Sequence, residues 1–204
     1  KMYFVEGNIG SGKSTFLKKL STEFKVVQEP VDEWSKMKNT NGKNILEEFY
    51  EDPKRNAYLF QSIAFRSRVK NITDINADNV IVERSIYTDR MVFAEVCKED
   101  GNINEIEWND YTEWFDFVVN HIGFKPKGFI YLRTDPEKSY ERINKRNRSG
   151  ESNISIDYLK KLHKRHDEWL CHDATVPVLV LDVTEEFESN PEPLVQKVRD
   201  FVKP

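Results

Sequence analysis

One run near the start of the sequence follows the spacing GxxxxGK(S/T): Gly7-Asn8-Ile9-Gly10-Ser11-Gly12-Lys13-Ser14. In such a loop the glycines let successive backbone N–H groups turn towards phosphate oxygens, and the following helix directs its positive end to the same place. Lys13 is expected to reach the β- and γ-phosphates of ATP, and the Ser14 hydroxyl to bind Mg²⁺. The predicted ATP-binding residues of this phosphate-binding loop are Gly7, Asn8, Ile9, Gly10, Ser11, Gly12, Lys13, Ser14 and Thr15.

Charged side chains stand at the ends of two further apolar segments. Glu29 follows the segment 25–28, and Glu83 and Arg84 come at the end of the segment 79–83. The carboxyl ends of strands line the ligand crevice of an open parallel sheet, so these side chains are expected beside the phosphate-binding loop. A carboxylate there can accept a hydroxyl proton or approach Mg²⁺, and an arginine can face a transferring phosphoryl group. The alternative is a pair of loop carboxylates and a structural Glu–Arg pair.

A basic cluster near a predicted helix end contains Arg142, Lys145, Arg146 and Arg148. Like charges at helical spacing repel one another, so the cluster is explained if a triphosphate neutralises it. We therefore predict a short arginine-rich lid over 142–153, with a solvated basic helix end as the alternative.

Candidate ligand-binding residues share the faces of two more predicted helices. Gln61, Ala64 and Arg68 stand at i, i+3 and i+7, and Asp89 and Phe93 are four residues apart. Residues at these spacings lie on one side of a helix. An amide, a small residue and an arginine make a poor core stripe, so this face fits the polar edge of a ligand pocket.

The elements that position these residues follow from the apolar pattern. Strands are predicted at 2–6, 25–28, 79–83, 128–132 and 177–181. Helices are predicted at 13–23, 52–71, up to about 99, 104–122, from 134 into the basic cluster, 155–171 and 193–202. Short, continuously apolar strands that alternate with helices indicate an α/β fold, with a five-stranded parallel sheet covered on both faces. The segments 39–44 and 148–153 are predicted to be exposed loops.

Composition narrows the possible functions. The 204 residues suit one domain over 1–204, and the formal charge of −4 gives no general reason to expect nucleic-acid or membrane binding. Cys97 and Cys171 form no CxxC pair and are predicted to be inert core residues. A reducing, cytoplasmic location is expected. No apolar run approaches membrane-spanning length, and with the first strand starting near Met2 no leader peptide is expected.

The segments GNIGSGKST, EPVDEW, FQS, ERSIYTDRMVFAE, IYLRTDPEKSYERINKRNRSGES and YLKKLHKRHDEWL together resemble the cellular and viral deoxynucleoside kinases. Within that family they are most similar to the deoxycytidine and deoxyguanosine kinase branch, and the resemblance runs from Phe4 to about Val202. It implies a P-loop kinase fold and ATP-dependent phosphorylation of a deoxynucleoside 5′-hydroxyl in nucleotide salvage. It also implies a homodimer, formed through helices at 52–71 and 87–99.

The resemblance also implies roles for individual residues. On the phosphate side, Glu29 would be the general base for the 5′-hydroxyl, Arg84 would bind that hydroxyl and the phosphoryl group, and Glu83 would lie at Mg²⁺ with Ser14. The residues implied at the triphosphate and adenine are Arg142, Arg146, Arg148, Glu186 and Phe187. The residues implied around the nucleoside are Tyr50 and Glu151 at the 3′-hydroxyl, Gln61 at the base edge, and Phe93, Trp34 and Phe60 around the base.

Arg68 and Asp89 predict the preferred base. Branches of the family that take thymidine carry apolar residues at these two positions. Asp89 is expected to accept from an exocyclic amino group, with Arg68 keeping it ionised, so the O4 acceptor of thymine would face a carboxylate. Deoxycytidine and purine deoxynucleosides are therefore predicted over thymidine. Two departures from the family pattern, Gly150 in the lid and Phe49 beside Tyr50, leave the choice between pyrimidine and purine open.

Two other functions remain as alternatives at this stage. A deoxynucleoside monophosphate kinase of thymidylate-kinase type would share the fold, but Glu29 stands where its substrate phosphate would lie. A nucleotide-binding module without turnover would have no need to pair Glu29 with Glu83 and Arg84.

Overall fold

The apolar segments predicted as strands form one sheet. A computed structural model describes residues 2–123, 125–148 and 150–202. The strands are β1 (Met2–Glu6), β2 (Val26–Val27), β3 (Val80–Glu83), β4 (Gly128–Arg133) and β5 (Val178–Asp182). They pair in parallel throughout, in the order β2-β3-β1-β4-β5, which confirms the predicted five-stranded parallel sheet.

Helices of very different lengths connect the strands. They are α1 (Lys13–Leu20), α2 (Val31–Lys36), α3 (Ile45–Glu51), α4 (Pro53–Thr73), α5 (Ile86–Thr88), α6 (Ala94–Glu99), α7 (Glu105–His121), α8 (Pro136–Arg146), α9 (Ile156–Glu168) and α10 (Glu192–Phe201). Shorter π-helical turns lie at Asp89–Phe93 and Trp169–Asp173, and a 3₁₀ turn lies at Glu151–Asn153. No helix in the described part of the chain is both long and apolar enough to cross a bilayer.

Helices cover both faces of the sheet, as predicted. Successive side chains of a strand point to opposite faces. Phe4 of β1 therefore packs in the same core cluster as Leu159 of α9. Val5, the next residue, packs with Phe16 of α1 and Val198 of α10 in a different cluster.

Local capping positions the two consecutive helices α3 and α4. At the start of α3, the Asn44 side chain accepts from the backbone N of Glu47, and the Glu47 side chain completes a capping box. At the start of α4, Asp52 accepts from the N of Arg55, and Pro53 occupies the first turn. These caps fix the break between two helices that are consecutive in sequence.

Several boundaries differ from the sequence predictions. Helices α2 and α3 were not predicted, because six- and seven-residue helices show too few turns for a clear apolar period. The predicted helix ending near residue 99 is divided by the π-helical turn at Asp89–Phe93. The prediction of an exposed loop over 148–153 is wrong at Glu151, which is buried. Cys171 is exposed, so only Cys97 fits the predicted core position.

Candidate active site

A cavity of about 630 Å³ lies where the phosphate-binding loop meets the carboxyl ends of β2 and β3. It brings together most of the residues predicted from the sequence to bind ATP, substrate or metal. Those lining the cavity are Ile9, Gly10, Ser11, Gly12, Lys13, Ser14, Thr15, Glu29, Trp34, Tyr50, Phe60, Gln61, Ala64, Arg68, Glu83, Arg84, Asp89, Phe93, Arg142, Arg146, Arg148, Glu151, Glu186 and Phe187.

Gly7 and Asn8 are the two predicted ATP-binding residues that do not line the cavity. Asn8 is buried behind the loop, where its amide donates to the Leu159 carbonyl at 3.0 Å and its Oδ1 accepts from the Ile9 N at 2.8 Å. A Cβ on Gly7 would lie 2.9 Å from the Leu132 carbonyl oxygen. These contacts show that both residues shape the loop from behind, and their contact with ATP stays a prediction.

The phosphate-binding loop has the geometry that an anion requires. Gly10 and Gly12 have φ of 73° and 94°, the left-handed region that glycine enters without strain. A Cβ on Gly10 would lie 2.5 Å from the Ser139 carbonyl oxygen, so no larger residue fits there. No described side chain caps the N-terminus of α1, which leaves its first N–H groups to a ligand. The loop therefore fits a triphosphate.

Lys13 is buried at the base of this loop. Its Nζ donates to the Asn8 carbonyl at 2.9 Å. Burial, aided by the nearby charge of Arg84, lowers the pKa of Lys13 to about 7. A phosphate group beside Lys13 would raise this pKa again, so nucleotide binding would favour the charged ammonium form.

Two carboxylates and two arginines form a connected network in the middle of the cavity. Arg84 Nη1 lies 3.0 Å from both carboxylate oxygens of Glu29. Arg68 reaches Glu29 Oε1 with Nη2 at 2.5 Å and Asp89 Oδ2 with Nε at 2.7 Å. The backbone N of Glu29 donates to Glu83 Oε1 at 3.1 Å, which ties the second carboxylate to the same network.

This network keeps Glu29 ionised. Burial alone would raise the pKa of Glu29, but the charges of Arg84, Arg68 and Lys13 outweigh it and hold that pKa well below its ordinary value. Burial raises the pKa of Asp89 to about 6, although Arg68 opposes the shift. Both carboxylates are therefore ionised at neutral pH, and each is available to accept a hydrogen bond from a ligand.

Arg84 is held in an unusual conformation at the end of β3. Its φ of 55° lies in the left-handed region, which costs a non-glycine residue free energy. The Arg84 backbone N donates to the Val5 carbonyl at 2.8 Å, and its Nη2 donates to the Gly7 carbonyl at 3.1 Å. The strained backbone thus directs the guanidinium to both the Gly7 carbonyl of the phosphate-binding loop and the Glu29 carboxylate.

Aromatic side chains form the wall beside this network. The rings of Trp34 and Phe60 meet edge to face at 5.4 Å, and Phe49 lies 5.2 Å from Phe60. The Arg84 guanidinium lies over the Phe93 ring at 5.1 Å. A planar ligand can stack its apolar faces on these rings while its polar edge contacts the charged network.

The predicted lid arginines have protein partners in the structure. Arg142 donates to the carbonyls of Ser11 at 3.0 Å and Val183 at 2.7 Å. Arg146 makes two hydrogen bonds to Glu151, at 2.8 and 2.5 Å. Glu151 therefore neutralises part of the cluster, and the neutralisation of the remaining charge by a triphosphate stays a prediction. Ser149, inside the predicted lid, lies outside the described residues.

The two residues implied beside adenine occupy different environments. Phe187 is buried, and its ring packs at 6.0 Å on Phe16 and against Gly12. Glu186 is exposed, and its carboxylate accepts from the backbone N and hydroxyl of Ser189 at 3.0 and 2.8 Å. Phe187 therefore supports the phosphate-binding loop as well as lining the cavity.

Comparison with known proteins identifies the family of this chain. The family model for deoxynucleoside kinase matches residues 3–203. The chain belongs to the deoxynucleoside kinase family. It is therefore a phosphotransferase that phosphorylates deoxynucleosides, which excludes a nucleotide-binding module without turnover.

Three relatives illustrate the similarity. This kinase is 37% identical to deoxycytidine kinase of Bos taurus, over 99% of this chain and 91% of the relative. It is 38% identical to a probable deoxycytidine kinase of fowlpox virus, over 99% of this chain and 88% of the relative. It is 36% identical to the mitochondrial deoxyguanosine kinase of Xenopus laevis, over 99% of this chain and 89% of the relative.

The metal-binding residues implied for this kinase are few. Among the described residues, no three or more His, Cys, Asp and Glu side chains cluster in a way that could hold a metal ion. Mg²⁺ usually keeps several waters and is held by one or two protein groups together with nucleotide phosphates. Ser14 and Glu83, which both line the cavity, fit that arrangement.

One buried carboxylate of this kinase was not predicted from the sequence. Glu6, directly before the phosphate-binding loop, accepts hydrogen bonds from the hydroxyls of Ser85, at 2.6 Å, and Thr88. Burial raises the pKa of Glu6 to about 7. The signal was present in the sequence, since a glutamate at the end of an apolar strand needs a buried partner.

Proposed function

We propose that this kinase transfers the γ-phosphoryl group of ATP to the 5′-hydroxyl of deoxynucleosides, and that it favours deoxycytidine and purine deoxynucleosides over thymidine. The observation that carries the proposal is the network in which Arg68 contacts both Glu29 and Asp89. One end of this network borders the phosphate-binding loop, and the other carries an ionised acceptor for a base amino group. Phosphoryl transfer and base selection thus fall within one cavity.

The proposed transfer depends mainly on positioning and charge stabilisation. Lys13 and Arg84 offset part of the negative charge of the transferring group. The lid arginines Arg142, Arg146 and Arg148 contribute further positive charge. Ser14 and Glu83 would hold Mg²⁺, which would supply positive charge to offset the negative charge of the phosphate groups. Glu29 orients the 5′-hydroxyl and accepts its proton late, after the bond to the phosphoryl group has begun to form.

Base selection follows from the acceptor and donor groups at the other end of the network. Asp89 accepts a hydrogen bond from the exocyclic amino group of cytosine or adenine, and Gln61 and Arg68 supply further contacts to the base edge. Thymine offers an O4 acceptor at the position of that amino group. The mismatch leaves buried polar groups unpaired, which reduces specificity constants strongly.

A steady-state panel tests this proposal. We expect kcat/KM to be highest for deoxycytidine or a purine deoxynucleoside, and about 10³- to 10⁴-fold lower for thymidine. The four deoxynucleoside 5′-monophosphates serve as controls, because the Glu29 carboxylate would face their phosphate group. Thymidine as the best deoxynucleoside would contradict the base preference, and faster turnover of monophosphates would contradict the acceptor assignment.

We further propose a homodimer, formed through α4 and α7. The supporting observation is a set of exposed apolar side chains on neighbouring helices: Leu59 of α4 is 48% exposed, and Trp114 and Phe117 of α7 are 56% and 48% exposed. Exposed apolar patches of this kind mark association surfaces. The segment 87–99, implied by resemblance, contributes no exposed large apolar side chain among its described residues.

Sedimentation measures the proposed association directly. The wild-type protein is expected at twice the mass of the 24.1-kDa chain. The double variant Trp114→Glu with Phe117→Glu is expected to sediment as a monomer. Its two carboxylates on α7 would have to be buried unpaired in the dimer interface, which is unfavourable. Met37→Glu is the matched control, since Met37 is 44% exposed but lies outside α4 and α7. A dimeric double variant would contradict the assignment.

We propose that 1–204 forms one kinase domain, which is supported by the family match over 3–203. A cytoplasmic location is supported by two cysteines that are both free.

A further inference from the structure

Several residues that line the cavity carry buried polar atoms without a hydrogen-bond partner among the described residues. These atoms include Gln61 Oε1, Arg68 Nη1 and Arg84 Nε. A buried polar atom without a partner costs free energy, and such atoms are rare in folded proteins. Where such a residue lines a cavity, a bound ligand is one source of the missing partner. All three atoms belong to residues already assigned to the substrate.

Tyr158 shows the same combination of features. Its side chain lines the cavity, and its hydroxyl is buried without a partner among the described residues. The first turn of α9 fixes its position, since the Ser155 hydroxyl accepts from the Tyr158 backbone N at 3.1 Å. Tyr158 has no part in the proposed phosphoryl transfer or base selection.

The surroundings of Tyr158 place it at the sugar end of the cavity. Its ring meets the ring of Tyr50 edge to face, with 6.5 Å between ring centroids. Glu151 lies in the turn that precedes α9, and it also lines the cavity. Tyr50 and Glu151 are the two residues implied at the 3′-hydroxyl of the deoxyribose.

The Tyr158 hydroxyl remains a hydrogen-bond donor at working pH. Burial raises the pKa of Tyr158 well above its ordinary value, and the neighbouring Tyr50 adds to the shift. A neutral phenol both donates and accepts, which matches an alcohol better than it matches a phosphate group.

We propose that Tyr158 is a substrate-binding residue whose hydroxyl makes a hydrogen bond to the 3′-hydroxyl of the deoxyribose, beside Tyr50 and Glu151. This inference rests on the proposed function, because it requires a deoxynucleoside in the cavity. It identifies the 3′-hydroxyl, rather than the base, as the feature that Tyr158 distinguishes.

The test removes one partner from each side of the proposed hydrogen bond. Tyr158→Phe and the wild type are compared on deoxycytidine and on 2′,3′-dideoxycytidine, which lacks the 3′-hydroxyl. We expect Tyr158→Phe to lower kcat/KM for deoxycytidine by about 5- to 10-fold, and to leave that for dideoxycytidine within about twofold of the wild type. An equal loss on both substrates, or no loss on either, would overturn the inference.

Tyr111→Phe is the matched control. Tyr111 is also buried with a hydroxyl that has no partner among the described residues, but it does not line the cavity. Tyr111→Phe is expected to leave kcat/KM unchanged for both deoxycytidine and dideoxycytidine. The apo protein should melt at the same temperature or higher in both variants, because each removes an unpaired buried hydroxyl. A clearly lower melting temperature for Tyr158→Phe alone would indicate an internal partner and overturn the inference.

The wild-type measurements separate this inference from the proposed function. If the wild type phosphorylates deoxycytidine and Tyr158→Phe shows the same preference for it over dideoxycytidine, only the role of Tyr158 fails. If the wild type turns over neither substrate but phosphorylates another acceptor, the proposed function fails and the inference fails with it.

Discussion

Replacing Glu29 by glutamine is expected to lower kcat by about 10²- to 10⁴-fold while deoxycytidine still binds. Glutamine keeps the size of the side chain and an oxygen that can accept from Arg84, which lies 3.0 Å from each carboxylate oxygen. It has no capacity to take a proton at neutral pH. The change therefore removes the proposed base with little change in the shape of the cavity.

Two measurements separate chemistry from binding in this variant. Steady-state rates at saturating ATP and deoxycytidine give kcat, and titration calorimetry gives the affinity for deoxycytidine. Glu33→Gln is the matched control, because Glu33 belongs to the same segment but its side chain is 52% exposed and lies 3.5 Å from Lys70. A near-normal kcat in Glu29→Gln would exclude Glu29 as the base.

The low pKa of Glu29 is compatible with this role. Arg84 and Arg68 keep the free carboxylate ionised, so it is ready to accept a hydrogen bond but is a weak base. In a loose phosphoryl-transfer transition state the hydroxyl loses its proton late, when the attacking oxygen has become acidic. A weak base is sufficient at that stage.

The local parts of the site were predictable from the sequence. The phosphate-binding loop depends on glycines and a lysine at fixed spacing, so its shape at Gly10 and Gly12 is determined within one short segment. Glu29 and Glu83 were predictable because a parallel sheet gathers the carboxyl ends of its strands at one edge. In both cases residue type and one general rule were enough.

Contacts between distant segments were not predictable in the same way. Arg68 was expected to pair with Asp89, yet in the structure it also contacts Glu29, which joins the base side of the cavity to the phosphate side. The ion pair between Arg146 and Glu151 depends on the turn that leads into α9. Such contacts are set by packing of whole elements, which a pattern along one segment does not report.

Removing the charges of Arg68 and Asp89 is expected to reverse much of the base preference. The double variant Arg68→Met with Asp89→Ala loses the acceptor for the cytosine amino group and the arginine that pairs with it, 2.7 Å apart in the structure. The O4 atom of thymine then no longer faces a carboxylate. We expect the ratio of kcat/KM for deoxycytidine to that for thymidine to fall by about 10³-fold.

Because Arg68 also contacts Glu29, a second control is needed beside this double variant. Asp89→Ala alone leaves the contact between Arg68 and Glu29, at 2.5 Å, and should lower the ratio while sparing kcat. Arg90→Met with Glu95→Ala removes another ion pair, 3.0 Å long and outside the cavity lining, and should leave the ratio unchanged. An unchanged ratio in both cavity variants would show that the pair is only structural.

The pH dependence of the same ratio provides an independent check. Burial raises the pKa of Asp89 to about 6, so the carboxyl gains a proton as the pH falls through that value. A protonated carboxyl can donate a hydrogen bond to the O4 acceptor of thymine. It is a weaker acceptor for the amino group of cytosine. The wild-type preference for deoxycytidine over thymidine should therefore weaken below about pH 6, and Asp89→Ala should show no such weakening, because the titrating group is gone.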